Sequence, residues 1–322
     1  MSMKPQMKTN IGRINFIQPL DPMLSPERFD PVKVVPLMPN FGARIEGLDL
    51  REAISEAVKA KLREAFLRFG VLFFSDQERL SEDKQIEVTR IFGAPDEGSP
   101  FIPKRAKNVD VLITDASNPP YANLWHSDNS GLPHASFGTL IQIQECPPVG
   151  GNTAWCSTQK AYECLSDHMK RCLEGLVAIH YWDKRGQESM TSTVSYDDDD
   201  SYYGRYFEYL KKFPPQKHPV VRTHPITGRK SIFVNEVFTT FIEGLHTYES
   251  QGILAFLYNW LHIPEFQLFH HWQRNDVAVW DNISMVHYAL GDYQEHRVNQ
   301  RVEFAIDPEL SYAAEAAFSN EA

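Results

Sequence analysis

The chain is predicted to be an α+β protein, and two observations predict it. Apolar residues recur at helical spacing early in the chain and again in its middle. Between these stretches lie many short apolar or alternating runs that read as strands. With 42% hydrophobic content, 322 residues can bury a substantial core, and large β-rich folds often form one domain.

Residues 1–30 show no clean period and read as an irregular arm, while 31–322 reads as a single domain. Val34–Met38 is a short apolar strand. From Ile54, the residues Val58, Leu62, Phe66 and Phe69 repeat at helical spacing as far as Gly70, the expected stop, and Val71–Phe74 follows as a buried strand. Ser81 offers an N-cap for a second helix to about Phe92, ended by Gly93 and Pro95. Val109–Thr114 reads as a strand, Ser117–Tyr121 as a loop and Phe137–Glu145 as an alternating strand. After the turn Pro147–Gly151, Thr153–Trp155 is again extended. Two helical stretches, Gln159–Leu165 and Ser166–Glu174, end at Gly175.

Residues 183–217 break the pattern with the Asp197–Asp200 run, a tyrosine cluster (Tyr202, Tyr203, Tyr206, Tyr209) and Pro214-Pro215. Two readings stand: a solvated insert, or a lid over the active site. From Lys211 to Lys230 there are six basic residues and no acidic one. Ser231–Val234 is expected to be extended and Gln251–Leu261 helical. Val277–Trp280, Ser284–Tyr288 and Val302–Ile306 are the expected closing strands.

The net charge of −10 argues against a nucleic-acid or polyanion binder. No window reaches the ~18 uncharged apolar residues of a membrane span. The first ten residues, MSMKPQMKTN, lack an apolar core, so no signal peptide is read and a cytoplasmic protein is expected. Cys146, Cys156, Cys164 and Cys172 form no CxxC pair and read as small hydrophobes in a reducing compartment.

The chemistry is organised around Leu124–Gly131, LWHSDNSG. In an extended segment, side chains two apart share a face, so His126 and Asp128 would present an imidazole and a carboxylate side by side. One more histidine would complete a 2-His-1-carboxylate set, which leaves three positions of an octahedral Fe(II) open. His287, in the stretch WDNISMVHY (280–288), is the candidate. The remaining ten histidines read as ordinary residues. The adjacent His270-His271 pair would point to opposite faces of a strand.

WHSDNSG, GGNTAW (150–155) and WDNISMVHYALGDYQEHRVNQR (280–301) together resemble the taurine dioxygenase family. This is the branch of Fe(II)/2-oxoglutarate-dependent oxygenases that also contains the 2,4-dichlorophenoxyacetate dioxygenases. The likeness runs from about residue 34 to about residue 306. It implies a double-stranded β-helix, a jelly-roll core with flanking helices and the metal at its mouth. It implies iron ligands at His126, Asp128 and His287. Arg297 would then clamp the C5 carboxylate of 2-oxoglutarate, with the Thr153 hydroxyl beside it. Arg301 would meet an anionic group of the prime substrate, and Phe238 would lie near that substrate.

Arg297 and Arg301 follow His287 by ten and fourteen residues. That is one residue closer than in the family's best-known member, which places a deletion in Gly291–His296. Gly93–Asn123 contains no histidine to match the taurine enzyme's sulfonate partner, so an anionic substrate other than taurine is expected.

The activity implied consumes O2 and 2-oxoglutarate, gives succinate and CO2, and hydroxylates an unactivated C–H bond. The presence of Asp128 disfavours halogenation, because halogenating relatives lack that carboxylate. Two alternatives remain. The same cofactors could serve desaturation, epoxidation or oxidative decarboxylation in a biosynthetic pathway. A non-catalytic metal-binding jelly-roll protein would keep the site without the reaction. The family and the N-terminal arm also imply a homo-oligomer.

Overall fold

The computed structural model describes residues 22–99, 102–118, 123–181 and 213–310. The α+β expectation is met by two facing β-sheets with helices packed outside them. Helix α1 (Glu56–Phe69) begins where the Ser55 hydroxyl accepts the Val58 N–H and ends at Gly70. Gly70 adopts φ 71°, and a Cβ there would lie 2.1 Å from Met285 Cε. The left-handed backbone of that C-cap favours glycine. Ser81 caps α2 (Glu82–Thr89) through the Lys84 N–H.

The larger sheet runs β1 (Lys33–Pro36), β2 (Ala43–Glu46), β3 (Val71–Phe74), β15 (Val277–Asp281), β7 (Gly138–Glu145), β17 (Arg297–Ala305), β6 (Val109–Thr114) and β5 (Lys104–Ala106). β4 (Ala94–Pro95) also pairs with β17. Facing it is a smaller sheet in the order β14 (Gln267–His270), β8 (Thr153–Ser157) and β16 (Met285–Ala289). A further sheet of β10 (Gln216–Pro219), β9 (Val177–His180) and β13 (Thr239–Ile242), and the pair β11 (Val221–Thr223) with β12 (Lys230–Ile232), complete the strands described. α3 (Thr158–Glu163), α4 (Asp167–Leu173) and α5 (Thr247–Leu261) follow the smaller elements.

The strand period of two sorts the side chains into layers. Leu72, Phe74, Val277, Val279, Leu140 and Phe304 face out from the larger sheet onto α1, in one core. Val71, Phe73, Ile141, Trp280, Trp155 and Met285 fill the space between the sheets, in a second. Cys156 and Val286 face the other way, onto Leu254, Leu257 and Leu261 of α5, in a third. The site lies in the middle layer. Thr139 shares the inward face of Ile141, Thr153 that of Trp155, and His287 that of Met285. On β17, Phe304 points outward, so Arg297, Asn299, Arg301 and Glu303 point in.

Several boundaries differ from expectation. β17 begins at Arg297, five residues before the predicted Val302, because its inward face is polar until the strand reaches the outer core. α2 stops at Thr89 rather than Phe92, since the chain turns there to bury Ile91 and Phe92. α5 starts at Thr247, four residues early, at a capping box of His246 and Glu249. β2, β4, β5, β9, β10, β11, β13 and β14 have no counterpart among the expected strands. Of the basic stretch, Lys217, Arg229 and Lys230 pair with Glu243, Glu163 and Glu174, which supports a solvated, charge-balanced face for that part. Residues 182–212, and with them most of the predicted lid or insert, lie outside the described residues, as does the arm from 1 to 21. No helix among the described residues is long and apolar enough to cross a membrane.

Candidate active site

His126 and His287 meet as an antiparallel bridge, each N–H donating to the other's carbonyl at 3.0 and 2.8 Å. Direct cross-strand partners point to the same face, so the two rings sit 4.1 Å apart, centroid to centroid. Asp128 arrives two residues after His126. Its Oδ1 lies 3.8 Å from Nε2 of each histidine. All three residues are buried, and their ligand atoms lie within 4.8 Å of one another. This is the one group of its kind among the described residues.

Groups behind two of the three, His126 and Asp128, settle their orientation. His126 Nδ1 lies 2.8 Å from the Leu124 carbonyl, which can only accept, so Nδ1 carries the proton and the Nε2 lone pair faces inward. Asp128 Oδ2 accepts from the Thr139 hydroxyl at 2.7 Å. Asn282 donates to that hydroxyl oxygen at 3.0 Å, while its own Oδ1 accepts the Trp280 indole N–H at 3.0 Å. Asp128 Oδ1 is thereby left pointing at the histidines.

Burial, then the neighbouring His126, pushes His287 down to about 3. Burial works to raise Asp128, but His287, Arg301 and His126 outweigh it and hold the carboxyl at about 2. Two imidazole nitrogens and one carboxylate make a donor set suited to a divalent first-row metal.

Thr153 and Arg297 come together from opposite sheets. Thr153 stands two positions along β8 from Trp155, the residue opposite His287. Arg297 NH2 reaches Thr153 Oγ1 at 3.5 Å. The guanidinium is 5% exposed, its Nε has no partner, and no carboxylate among the described residues pairs with it. Burial presses its pKa below the ordinary arginine value. A buried cation without an anion is costly, and this one faces a hydroxyl in the layer that holds the metal-binding set. The residues present therefore fit a ligand carboxylate, as 2-oxoglutarate would supply.

Arg301, expected to meet an anionic group of the prime substrate, is surrounded by carboxylates of the protein itself. Its Nε donates to Asp110 at 3.3 Å and its NH1 to Asp128 Oδ1 at 3.4 Å, while NH2 binds Glu303. Asn129 and Ser136 also donate to Glu303. Three carboxylates already share that charge. Phe238 is half-buried on the turn entering β13, where its N–H donates to Asn235 Oδ1. Asn235 in turn donates to the Ser130 hydroxyl at 2.9 Å, two residues after Asp128. His270 and His271 take no part, bonding to Asp276 and Asn152.

Sequence reasoning missed Thr139, Asn282, Asp110, Glu303 and Trp272. Two of these carried a signal. Asn282 lies within the quoted 280–288 stretch, and Glu303 is two residues past Arg301, hence on the same face of a strand.

Residues 33–302 match the family described as "Taurine catabolism dioxygenase TauD, TfdA family". The chain belongs to this family. Within it, the chain is 31% identical over 273 residues to an alkylsulfatase of Acinetobacter baylyi, covering 82% of each. It is 33% identical over 275 residues to the alpha-ketoglutarate-dependent 2,4-dichlorophenoxyacetate dioxygenase of Cupriavidus pinatubonensis, covering 78% of this chain and 90% of that one. Among solved structures, a taurine dioxygenase from Burkholderia xenovorans superposes with a TM-score of 0.69 at 25% identity, over 86% of this chain and 91% of that one. AAD-2 in complex with Mn(II) and N-oxalylglycine gives 0.70 at 26% identity, over 85% and 97%. The fold is accordingly a double-stranded β-helix with flanking helices. This TauD/TfdA protein is an Fe(II)- and 2-oxoglutarate-dependent dioxygenase.

Proposed function

We propose that this dioxygenase hydroxylates an unactivated C–H bond of a small, anionic molecule, releasing succinate and CO2. His126, Asp128 and His287 would hold Fe(II), and Thr153 with Arg297 the remote carboxylate of 2-oxoglutarate. Bound there, Fe(II) with 2-oxoglutarate and O2 would supply the oxidising power that no side chain has. The protein's share is position and exclusion. The Leu124 carbonyl and the Thr139 hydroxyl aim His126 and Asp128. The aromatic residues between the sheets keep water from the reacting centre.

The observation that carries this reading is the buried, anion-free guanidinium of Arg297 beside the three-ligand set. A passive metal-binding jelly roll would have no use for a carboxylate receptor. Desaturation, epoxidation and oxidative decarboxylation would use the same residues, and product analysis separates them.

Support for an anionic prime substrate comes from relatives named for alkyl sulfates and for 2,4-dichlorophenoxyacetate. Arg301 is the proposed contact, with Phe238 as an apolar wall. Because Arg301 is already shared among Asp110, Asp128 and Glu303, a single negative charge held modestly fits better than a multiply charged group. The four cysteines are free thiols, which supports a reducing, cytoplasmic setting.

The test is an anaerobic titration of purified protein with Fe(II) and then 2-oxoglutarate, watching for the visible metal-to-ligand charge-transfer band. A band in the wild type, lost in His126→Ala and needing more 2-oxoglutarate in Arg297→Ala, is the expected result. A folded, iron-loaded wild type without a band would sink the assignment. Succinate release across a panel of alkyl sulfates, sulfonates and aryloxy acids would then locate the substrate.

A further inference from the structure

We infer that Trp272 is a positioning residue of the co-substrate pocket: its indole N–H commits the Thr153 hydroxyl to donating toward the remote carboxylate of 2-oxoglutarate. This rests on the assignment of Thr153 and Arg297 to that carboxylate.

Trp272 lies two residues beyond His270, the residue paired with Thr153 across β14 and β8. Its Nε1 is 2.9 Å from Thr153 Oγ1. An indole nitrogen can only donate, so the threonine oxygen has to accept. Arg297 NH2 approaches the same oxygen at 3.5 Å. A hydroxyl has two lone pairs and one proton, and here both lone pairs face donors. The proton is left to be given away, yet no acceptor for it is present among the described residues. Thr153 is buried, so solvent does not readily take that role. A carboxylate oxygen, which only accepts, is the complement.

The indole is held in place by its neighbours. Trp155 meets it edge-on at 5.9 Å and His270 at 4.6 Å. His270 is itself stacked on Phe73 at 4.3 Å and hydrogen-bonded to Asp276 at 3.2 Å. The N–H direction is thus set by packing before any ligand arrives. A hydroxyl rotor fixed in advance loses less freedom on binding than one that must be ordered by the ligand.

Trp272→Phe keeps the ring and removes the donor. Binding would be read in two ways: 2-oxoglutarate titrated anaerobically into Fe(II)-loaded protein, and N-oxalylglycine titrated calorimetrically with Mn(II). Losing one neutral hydrogen bond should weaken both ligands roughly 3- to 10-fold while metal affinity stays put. Thr153→Val should weaken them at least as much, and the double variant should be no weaker than Thr153→Val alone. Non-additivity is the sign that Trp272 acts through Thr153, which a general packing defect would not produce.

If wild type binds 2-oxoglutarate and Trp272→Phe binds it equally well, or if the two losses multiply, the role of Trp272 is overturned and the clamp survives. If wild type binds neither ligand, both fall. Should Trp272→Phe not fold, the indole N–H resonances decide: Thr153→Val should shift one of them, and leaving all in place overturns the inference.

Discussion

His126 and His287 are partners across an antiparallel bridge, so the metal-binding face is written into strand register. Val286, one residue away, faces the opposite side, into the core under α5. A one-residue move therefore changes faces entirely. Exchanging the pair, with Val286→His and His287→Val together, should leave the composition intact and the charge-transfer band absent. The exchanged variant is expected to be as inactive as His287→Ala. Recovery of more than a few per cent of wild-type 2-oxoglutarate turnover would contradict this geometry.

Thr139 links Asp128 to Asn282. Thr139→Val keeps the shape but strips a hydrogen bond from the carboxylate and leaves the Asn282 amide without its acceptor. Loss of such supporting groups typically weakens metal binding by about 10- to 100-fold. Calorimetry with Mn(II) measures it, and an affinity within twofold of wild type would show that Asp128 needs no such support.

Arg297 gives a prediction with opposite signs for stability and binding. In the ligand-free protein its buried charge lacks an anion, so Arg297→Leu should raise the melting temperature. The same variant should lose 2-oxoglutarate affinity by at least about 30-fold, since hydrogen bonds to charged groups contribute roughly 1.5–3 kcal/mol each. Thermal melts with and without 2-oxoglutarate check both at once.

pH should act on the metal-free protein through His287. Its folded pKa of about 3 lies below the ordinary histidine value of 6.5. Between those values the unfolded chain binds more protons than the folded one, so stability falls as pH falls through that window. The slope from this group is at most about 1.4 kcal/mol per pH unit. In chelator-treated protein, His287→Gln should show a shallower decline in melting temperature between pH 6.5 and 4. Parallel curves for the two proteins would count against a buried neutral imidazole.

How much of this was legible in the sequence depended on the kind of signal each element left. One cap and one stop are plain in the sequence: Ser81 and Gly70 bound helices where a short polar side chain and a left-handed residue are required, whereas Ser55 and Ser166 emerge as caps only in the structure. Val71–Phe74 announced itself by being apolar on both faces. β17 did not, because Arg297, Asn299, Arg301 and Glu303 line its inner face and mask the strand in any reading based on apolarity. β9 and β14 are short and partly polar, and tertiary pairing decides them. His126, Asp128 and His287 were found through resemblance, as His-x-Asp alone is common in a chain with 12 histidines and 42 acidic residues. Asp110 meets Arg301 across 191 residues of sequence, a relation that no local pattern carries.

The register between β8 and β16 has one more consequence, for molecular length. His287 stands opposite Trp155 and Ala289 opposite Thr153, so the proposed carboxylate clamp lies one two-residue repeat from the metal-binding row. That repeat is about 7 Å of strand, and it cannot stretch, because the hydrogen-bonded ladder sets it. On the proposed assignment the sheet is a ruler. A 2-oxo dicarboxylic acid one carbon shorter would fall short of Thr153 and Arg297, and one a carbon longer would have to buckle to fit between the two ends.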